Sequence, residues 1–174
     1  MLISFVVVAS VFATATLSTG IFASNQAQNT ANVGLSGARG ALELKGPVIA
    51  RVGGTTGVTG VVTSMEFQVI NAVGGFVDLT PGNAILKYYD KNQMVSMNSI
   101  SEFTAANVAA LGVADNLIET GEVFEITILD MTTQLGTDLG VNTEFTIEMI
   151  LPRSPALVIQ RRTPLSLESG NNLN

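Results

Sequence analysis

Cysteine, histidine and tryptophan are absent from this 174-residue chain, and charge is scarce: eight Lys and Arg with fourteen Asp and Glu, 13% of the residues. Soluble domains ordinarily carry about 25% charged residues. Without cysteine there is no disulfide framework. Without cysteine and histidine, the common zinc sites and histidine-based catalytic triads are excluded. These absences point away from an enzyme, and no catalytic residue, cofactor or metal ion is expected. The few basic residues are scattered, Arg161-Arg162 being the only adjacent pair, and the net charge is −6. Nucleic-acid binding rests on neutralising phosphates, so no nucleic-acid partner is expected. An acidic surface instead suits solubility outside the cell. The length suits one globular domain with an appendage.

The charge deficit is concentrated at the start, where no charged residue precedes Arg39. Met1 to Gly20 reads MLISFVVVASVFATATLSTG, and about 20 residues of helix span the ~30 Å of a bilayer core. Three plain readings are a secretory signal peptide, a membrane anchor and a buried core helix. A signal peptide needs a basic first segment, which is missing here. A domain of this size has little room to surround so long an apolar helix. A fourth reading is a helix bundle. Ser10, Thr14 and Ser18 recur at intervals of four, with Ala9 and Ala13 in a row beside them, and such small-residue rows let helix backbones approach closely. After Ala23 the chain turns polar but stays uncharged through SNQAQNTANVGLSGA. Ala27, Ala31, Leu35 and Ala38 keep helical spacing. The helix is expected to continue to about Val33, with Gly34 and Gly37 as cap and hinge. The boundary between the helical segment (1–36) and the rest (37–174) is placed there.

From Ala41 onward the period changes to two. Met65–Val69, Phe124–Ile128, Phe145–Met149 and Leu157–Ile159 alternate apolar and polar residues, the pattern of strands with one buried and one wet face. Further strands are expected at Leu42–Val52, Phe76–Leu79, Ala84–Tyr89 and Met94–Met97. Gly53-Gly54 and Gly74-Gly75 permit positive φ, and Thr80-Pro81-Gly82-Asn83 fits a type II turn. Ser101–Leu111, rich in alanine, is expected to form a short helix or turn. The fold class is therefore α+β: a long N-terminal hydrophobic helix followed by an antiparallel β-sandwich.

Chemical constellations are few. Asp78, Asp90 with Asn92, Asp130 and Asp138 sit in turns or loops, where ordinary turn chemistry competes with oxygen ligation of a hard cation. Glu144 and Glu148, with Glu125 as a cross-strand neighbour, are expected on a solvated sheet face. Tyr88, Tyr89, Met65, Met94, Met97 and Met149 are expected to pack between strands. The glycines from Gly53 to Gly57 lack the following Lys and helix of a phosphate loop.

In order and spacing, four segments resemble the archaellins, the flagellins of archaeal swimming organelles: LISFVVVASVFATATLSTGIFASNQAQ, ALELKGPVIARV, EFQVINAVGGFVDLTPGNAILKYYD and TEFTIEMILPRSPALVIQRRTPLSL. The last is similar to the family's closing hairpin, with a turn at Pro152–Pro155. The resemblance covers nearly the whole chain. It implies an immunoglobulin-like sandwich on the outside of an extracellular helical filament at the cell surface, used for swimming, with N-terminal helices packed in its core. The residues it places in that packing are Phe5, Val8, Ala9, Ser10, Phe12, Ala13, Thr14, Leu17 and Ser18. The implied partners are the chain itself as a homopolymer, alone or with paralogous subunits, and the membrane machinery that assembles and rotates the filament, after transient insertion of the helix in the membrane. Two departures stand out. Archaellins are made with a short basic leader cut after a glycine, and none precedes the apolar run, so the numbering is expected to start at or after the processed end, or the gene is atypical. No Asn satisfies N-x-S/T, which leaves only O-linked glycosylation in Ser/Thr-rich loops. An adhesive type IV-like pilin and a membrane-anchored surface domain are the alternative readings.

Overall fold

The computed structural model describes residues 2–38, 42–72, 75–108, 115–152 and 154–174, with side chains left out for 2 and 31–38. It contains two compact bodies, residues 1–37 and 38–174. The first is a single helix, α1 (Leu2–Ala38). It runs past the expected end at Val33 and through both Gly34 and Gly37. A glycine in a helix interior costs about 1 kcal/mol relative to alanine but breaks no hydrogen bond, and no proline lies in the segment to stop it.

The second body is an antiparallel β-sandwich. One sheet holds β1 (Leu42–Val52), β2 (Val62–Asn71), β8 (Val123–Ile128), β6 (Phe103–Asn107) and β11 (Gly170–Leu173), in the order β11-β1-β2-β8-β6. The other holds β4 (Ile85–Asp90), β5 (Met94–Met97), β9 (Glu144–Leu151) and β10 (Ser154–Arg162), in the order β10-β9-β4-β5. The short strands β3 (Phe76–Asp78) and β7 (Leu117–Glu119) pair with each other. A single turn of helix, α2 (Met131–Gln134), follows β8.

Alternation dictates the packing. Val48, Ala50, Met65, Phe67, Val69, Phe124, Ile126 and Ile128 of the first sheet are buried, as are Leu86, Tyr88, Met97, Phe145, Ile147, Met149 and Ile159 of the second, and all belong to one core. The rings of Tyr88 and Phe145 stack with centroids 6.0 Å apart. Burial of this kind contributes about 25 cal/mol per Å² of apolar surface. Gly46-Pro47 are the two residues by which β1 slips its register against β2 between Lys45 and Val48. Gly46 supplies a φ of +83°, and Pro47 has no N–H to pair, so the irregularity falls where the ladder loses least.

Two expectations about this body are corrected. Phe103–Asn107 is a strand, not a helix: it pairs with β8 from Phe103↔Ile128 to Asn107↔Phe124. Phe103 is fully buried, and pairing with β8 outweighs the helix propensity of Ala105 and Ala106. The rest of that stretch, 109–111, lies outside the described residues. Met94 is not packed between strands but exposed on β5, whereas Met65, Met97, Met149 and Tyr88 are buried.

Candidate polymerisation surface on the N-terminal helix

Every described side chain from Ile3 to Thr30 is exposed. This 28-residue stretch is about 42 Å long at ~1.5 Å per residue, more than a bilayer core requires. Its apolar side chains do not form one stripe. Phe5, Val8, Phe12 and Leu17 stand exposed at 73%, 68%, 70% and 67%, and Leu17 points to a different side from the other three. A helix apolar all round is one that is covered on all sides, whereas a helix lying on a domain carries its apolar residues along one face.

At about 3.6 residues per turn, the nine expected packing residues do not share one face. Phe5, Val8 and Phe12 make a ridge of bulky groups. Ser10, Thr14 and Ser18 lie on nearly the opposite side and, with Val11 and Ala15, line a shallow groove. Ala9 and Ala13 lie between ridge and groove. A second groove, lined by Ala15, Thr16, Thr19, Gly20 and Ala23, lies nearer the C-terminal end, on the side of the ridge.

Four of the hydroxyls in this surface bond to carbonyls of their own helix. Ser10 Oγ donates to the Val7 carbonyl at 2.9 Å and Thr14 Oγ1 to the Ser10 carbonyl at 2.8 Å. Thr16 donates to the Phe12 and Ala13 carbonyls, both at 3.0 Å, and Thr19 to the Ala15 carbonyl at 2.9 Å. A hydroxyl bonded to its own backbone adds little desolvation cost when water leaves. No side chain from Leu2 to Ala38 titrates, so charge plays no part in this surface.

The carboxylates of the sandwich are engaged in turns and sheet faces. Asp78 accepts from the Thr80 N–H at 2.9 Å and from Asn83 Nδ2 at 2.6 Å, closing the Thr80–Asn83 turn, in which Gly82 has a φ of +102°. Asp90 accepts from the N–H groups of Asn92 and Gln93 at 2.6 and 3.0 Å. Asp130 precedes α2 in the left-handed region, at φ +41°. Among the described residues, no three His, Cys, Asp or Glu side chains converge as metal ligands. Glu125 is not a neighbour of Glu144 and Glu148. It faces Gln68 and Ala106 in the first sheet, while Glu144 and Glu148 belong to the second. Glu148 instead accepts a hydrogen bond from the Tyr89 hydroxyl and sits opposite Lys87.

Comparison with known proteins agrees with this arrangement. The family described as archaeal-type flagellin matches residues 1–161. A probable flagellin 1 of Archaeoglobus fulgidus is 30% identical, over 97% of this chain and 87% of that protein. A probable flagellin 1 of Aeropyrum pernix is 28% identical, over 97% and 90%. Among solved structures, the archaeal flagellum of Methanospirillum hungatei superposes with a TM-score of 0.74 over 99% of this chain and 94% of that one, at 22% identity. A crystal structure of an archaeal flagellin from Methanocaldococcus jannaschii superposes with a TM-score of 0.65 over 77% and 96%, at 15% identity. At these identities the structures establish the fold, a long apolar helix followed by an immunoglobulin-like sandwich. The extensive family match and the Archaeoglobus relative establish the kinship: the chain belongs to the archaeal-type flagellin family, as a structural subunit of an extracellular archaellum filament.

Proposed function

We propose that copies of this chain polymerise through α1, with residues 1–36 packed around the filament axis and residues 37–174 forming the outer wall. The carrying observation is the uncharged stretch Ile3–Thr30, apolar on every side as far as Ala23 and exposed throughout. A ridge at Phe5, Val8 and Phe12 on one side and a groove at Ser10, Thr14 and Ser18 on the other suit a heterologous contact. In such a contact the ridge of one copy enters the groove of the next. Contacts of that kind do not close into dimers, and they propagate into open helical arrays when their rotation does not close a ring.

Before assembly the same helix is long and apolar enough to hold the subunit in the membrane. The subunit is passed from there to the growing filament by membrane assembly machinery, and a membrane motor turns the filament for swimming. The role is structural, with no enzymatic activity, no cofactor and no nucleic-acid partner.

Deletion of Met1–Gly20 tests the reading. The shortened chain is expected to be a soluble monomeric sandwich, since burial of the largely apolar segment removed dominates assembly. Filaments formed by the shortened chain, seen by negative-stain microscopy, would overturn it. A swimming assay on cells lacking the gene separates motility from adhesion: cells that swim normally would favour an adhesive pilus.

A further inference from the structure

Beyond Ala23, α1 becomes polar without becoming charged. Ser24 to Asn32 reads SNQAQNTAN, and its described side chains, through Thr30, are all exposed. A helix facing water gains from Glu and Lys, which are better helix formers than Asn and form favourable pairs one turn apart. Asn in their place weakens the isolated helix, and neither Asn nor Gln forms such charge pairs. They do have a property that no charged side chain has: each carries both donors and acceptors. Identical carboxylates or identical ammonium groups brought face to face repel, whereas identical amides are complementary to themselves. In a polymer of one chain, the group that each copy presents to the next is repeated throughout.

Positions 25, 28 and 29 fall within about 100° of arc on the helix, on the same side as Ser10, Thr14 and Ser18 and past the apolar segment that ends at Ala23. We infer that Asn25, Gln28 and Asn29 form an interface between copies of this chain, in which amides of neighbouring helices hydrogen-bond to one another in the filament. The inference rests on the proposal that subunits polymerise through α1. It gives the two parts of the helix different tasks. The apolar part drives association without fixing how far one helix slides along another. The amides, satisfied only when partners are level, set the axial register. Ile3–Ala23 alone is about 30 Å long, enough for the bilayer core. The amides therefore stay hydrated in the membrane-held subunit and exchange water for each other only on assembly.

The test replaces amides with isosteric acids. The full chain carrying Asn25→Asp and Asn29→Asp is purified in detergent, assembly is started by detergent removal, and sedimentable polymer is compared with the unmodified chain at the same pH. At pH 7 the acids meet acids in a water-poor contact, and the polymer yield is expected to fall at least about tenfold. Apposed carboxylates have raised pKa values, and a protonated carboxyl both donates and accepts. Near pH 4 the yield is therefore expected to return to within about twofold of the unmodified chain. A yield equal to that of the unmodified chain at pH 7 would overturn the inference. So would a loss that persists near pH 4, which marks a damaged helix and not an amide contact. The Met1–Gly20 deletion separates the two proposals. If the deleted chain still polymerises, assembly through α1 fails. If it does not, and the acid variant assembles normally at pH 7, only the amide contact fails.

Discussion

The hydroxyl of Tyr88 donates a hydrogen bond to Asp90 Oδ2 at 2.9 Å, joining a ring in the middle of the core to the turn at the end of its own strand. The same carboxylate accepts from Gln93 Nε2 at 3.1 Å and, through Oδ1, from two backbone N–H groups. One side chain thus closes the β4–β5 hairpin and satisfies the polar end of a buried tyrosine. Asp90→Ala leaves these donors unmet and is expected to cost the sandwich about 1–3 kcal/mol, a fall of roughly 3–10 °C in Tm. Asp90→Asn, which keeps an acceptor, is expected to cost less. Thermal unfolding followed by circular dichroism reads both, and equal midpoints for Asp90→Ala and the unmodified chain would refute the role.

Acid sensitivity follows from three such carboxylates. Burial acts to raise the Asp78 and Asp90 pKa values, but hydrogen bonds outweigh it, from Thr80 and Asn83 in one case and from Asn92, Gln93 and Tyr88 in the other, and hold both below the ordinary 3.8. Glu102 is lowered from 4.5, chiefly by the Asn98 N–H and then, against burial, by the Ser99 N–H and hydroxyl. A folded-state pKa below the unfolded one contributes stability above the unfolded value and loses it as pH falls through the folded one. These groups therefore leave stability level from about pH 6 to 8 and withdraw it below about pH 4.5. Denaturant midpoints measured across pH 2 to 8 check the window. A midpoint that rises as pH drops from 5 to 3 would contradict it.

The sandwich was legible wherever its two faces meet different surroundings. Phe145, Ile147 and Met149 alternate with Glu144, Thr146 and Glu148 because one set fills the core and the other meets water. β11 gives no such signal. Gly170–Leu173 reads GNNL, and its place depends on pairing with β1 and on Asn171, whose Nδ2 donates to the Glu168 carbonyl at 2.8 Å and whose Oδ1 accepts from the Glu168 N–H at 2.9 Å. Glu168 is a local partner, but the pairing with β1, and the Ala50 carbonyl that also accepts from Asn171 Nδ2 at 3.4 Å, come from the fold. Phe103–Asn107 was misread for the same reason. On α1 the composition of the surface was legible but not the direction of its contacts, because a helix apolar on every side carries no periodic mark of which side meets which neighbour.

Salt response separates the two bodies. All of the chain's charges lie from Arg39 onward, so the proposed contacts along α1 contain none to screen. The net −6 makes outer domains repel one another, and at about 1 M salt the screening length falls to ~3 Å. Filaments are expected to persist, or to grow more stable, on going from about 0.1 to 1 M salt. Depolymerisation on raising salt, followed by light scattering, would show instead that ionic contacts hold the polymer.

The groove on α1 gives the most direct test of packing. Thr14 lies at its centre, its hydroxyl bonded to the Ser10 carbonyl at 2.8 Å, with Ser10 and Ser18 a turn away on either side. Thr14→Leu removes a hydroxyl that has no partner outside its own helix and adds bulk to the floor of the groove. In lipid the change is at least neutral, so the membrane-held subunit should accumulate normally. In a packed bundle the added bulk pushes the neighbouring helix away, and overpacking costs about 1–3 kcal/mol per site. Each subunit carries the substitution, so every addition step is weakened by roughly 5- to 150-fold. The ratio of shed filament to membrane-retained subunit is therefore expected to collapse. A plain membrane anchor predicts the opposite, because leucine suits lipid better than threonine. If the ratio for Thr14→Leu matches that of the unmodified chain, position 14 faces no neighbour, and the ridge of Phe5, Val8 and Phe12 must dock elsewhere.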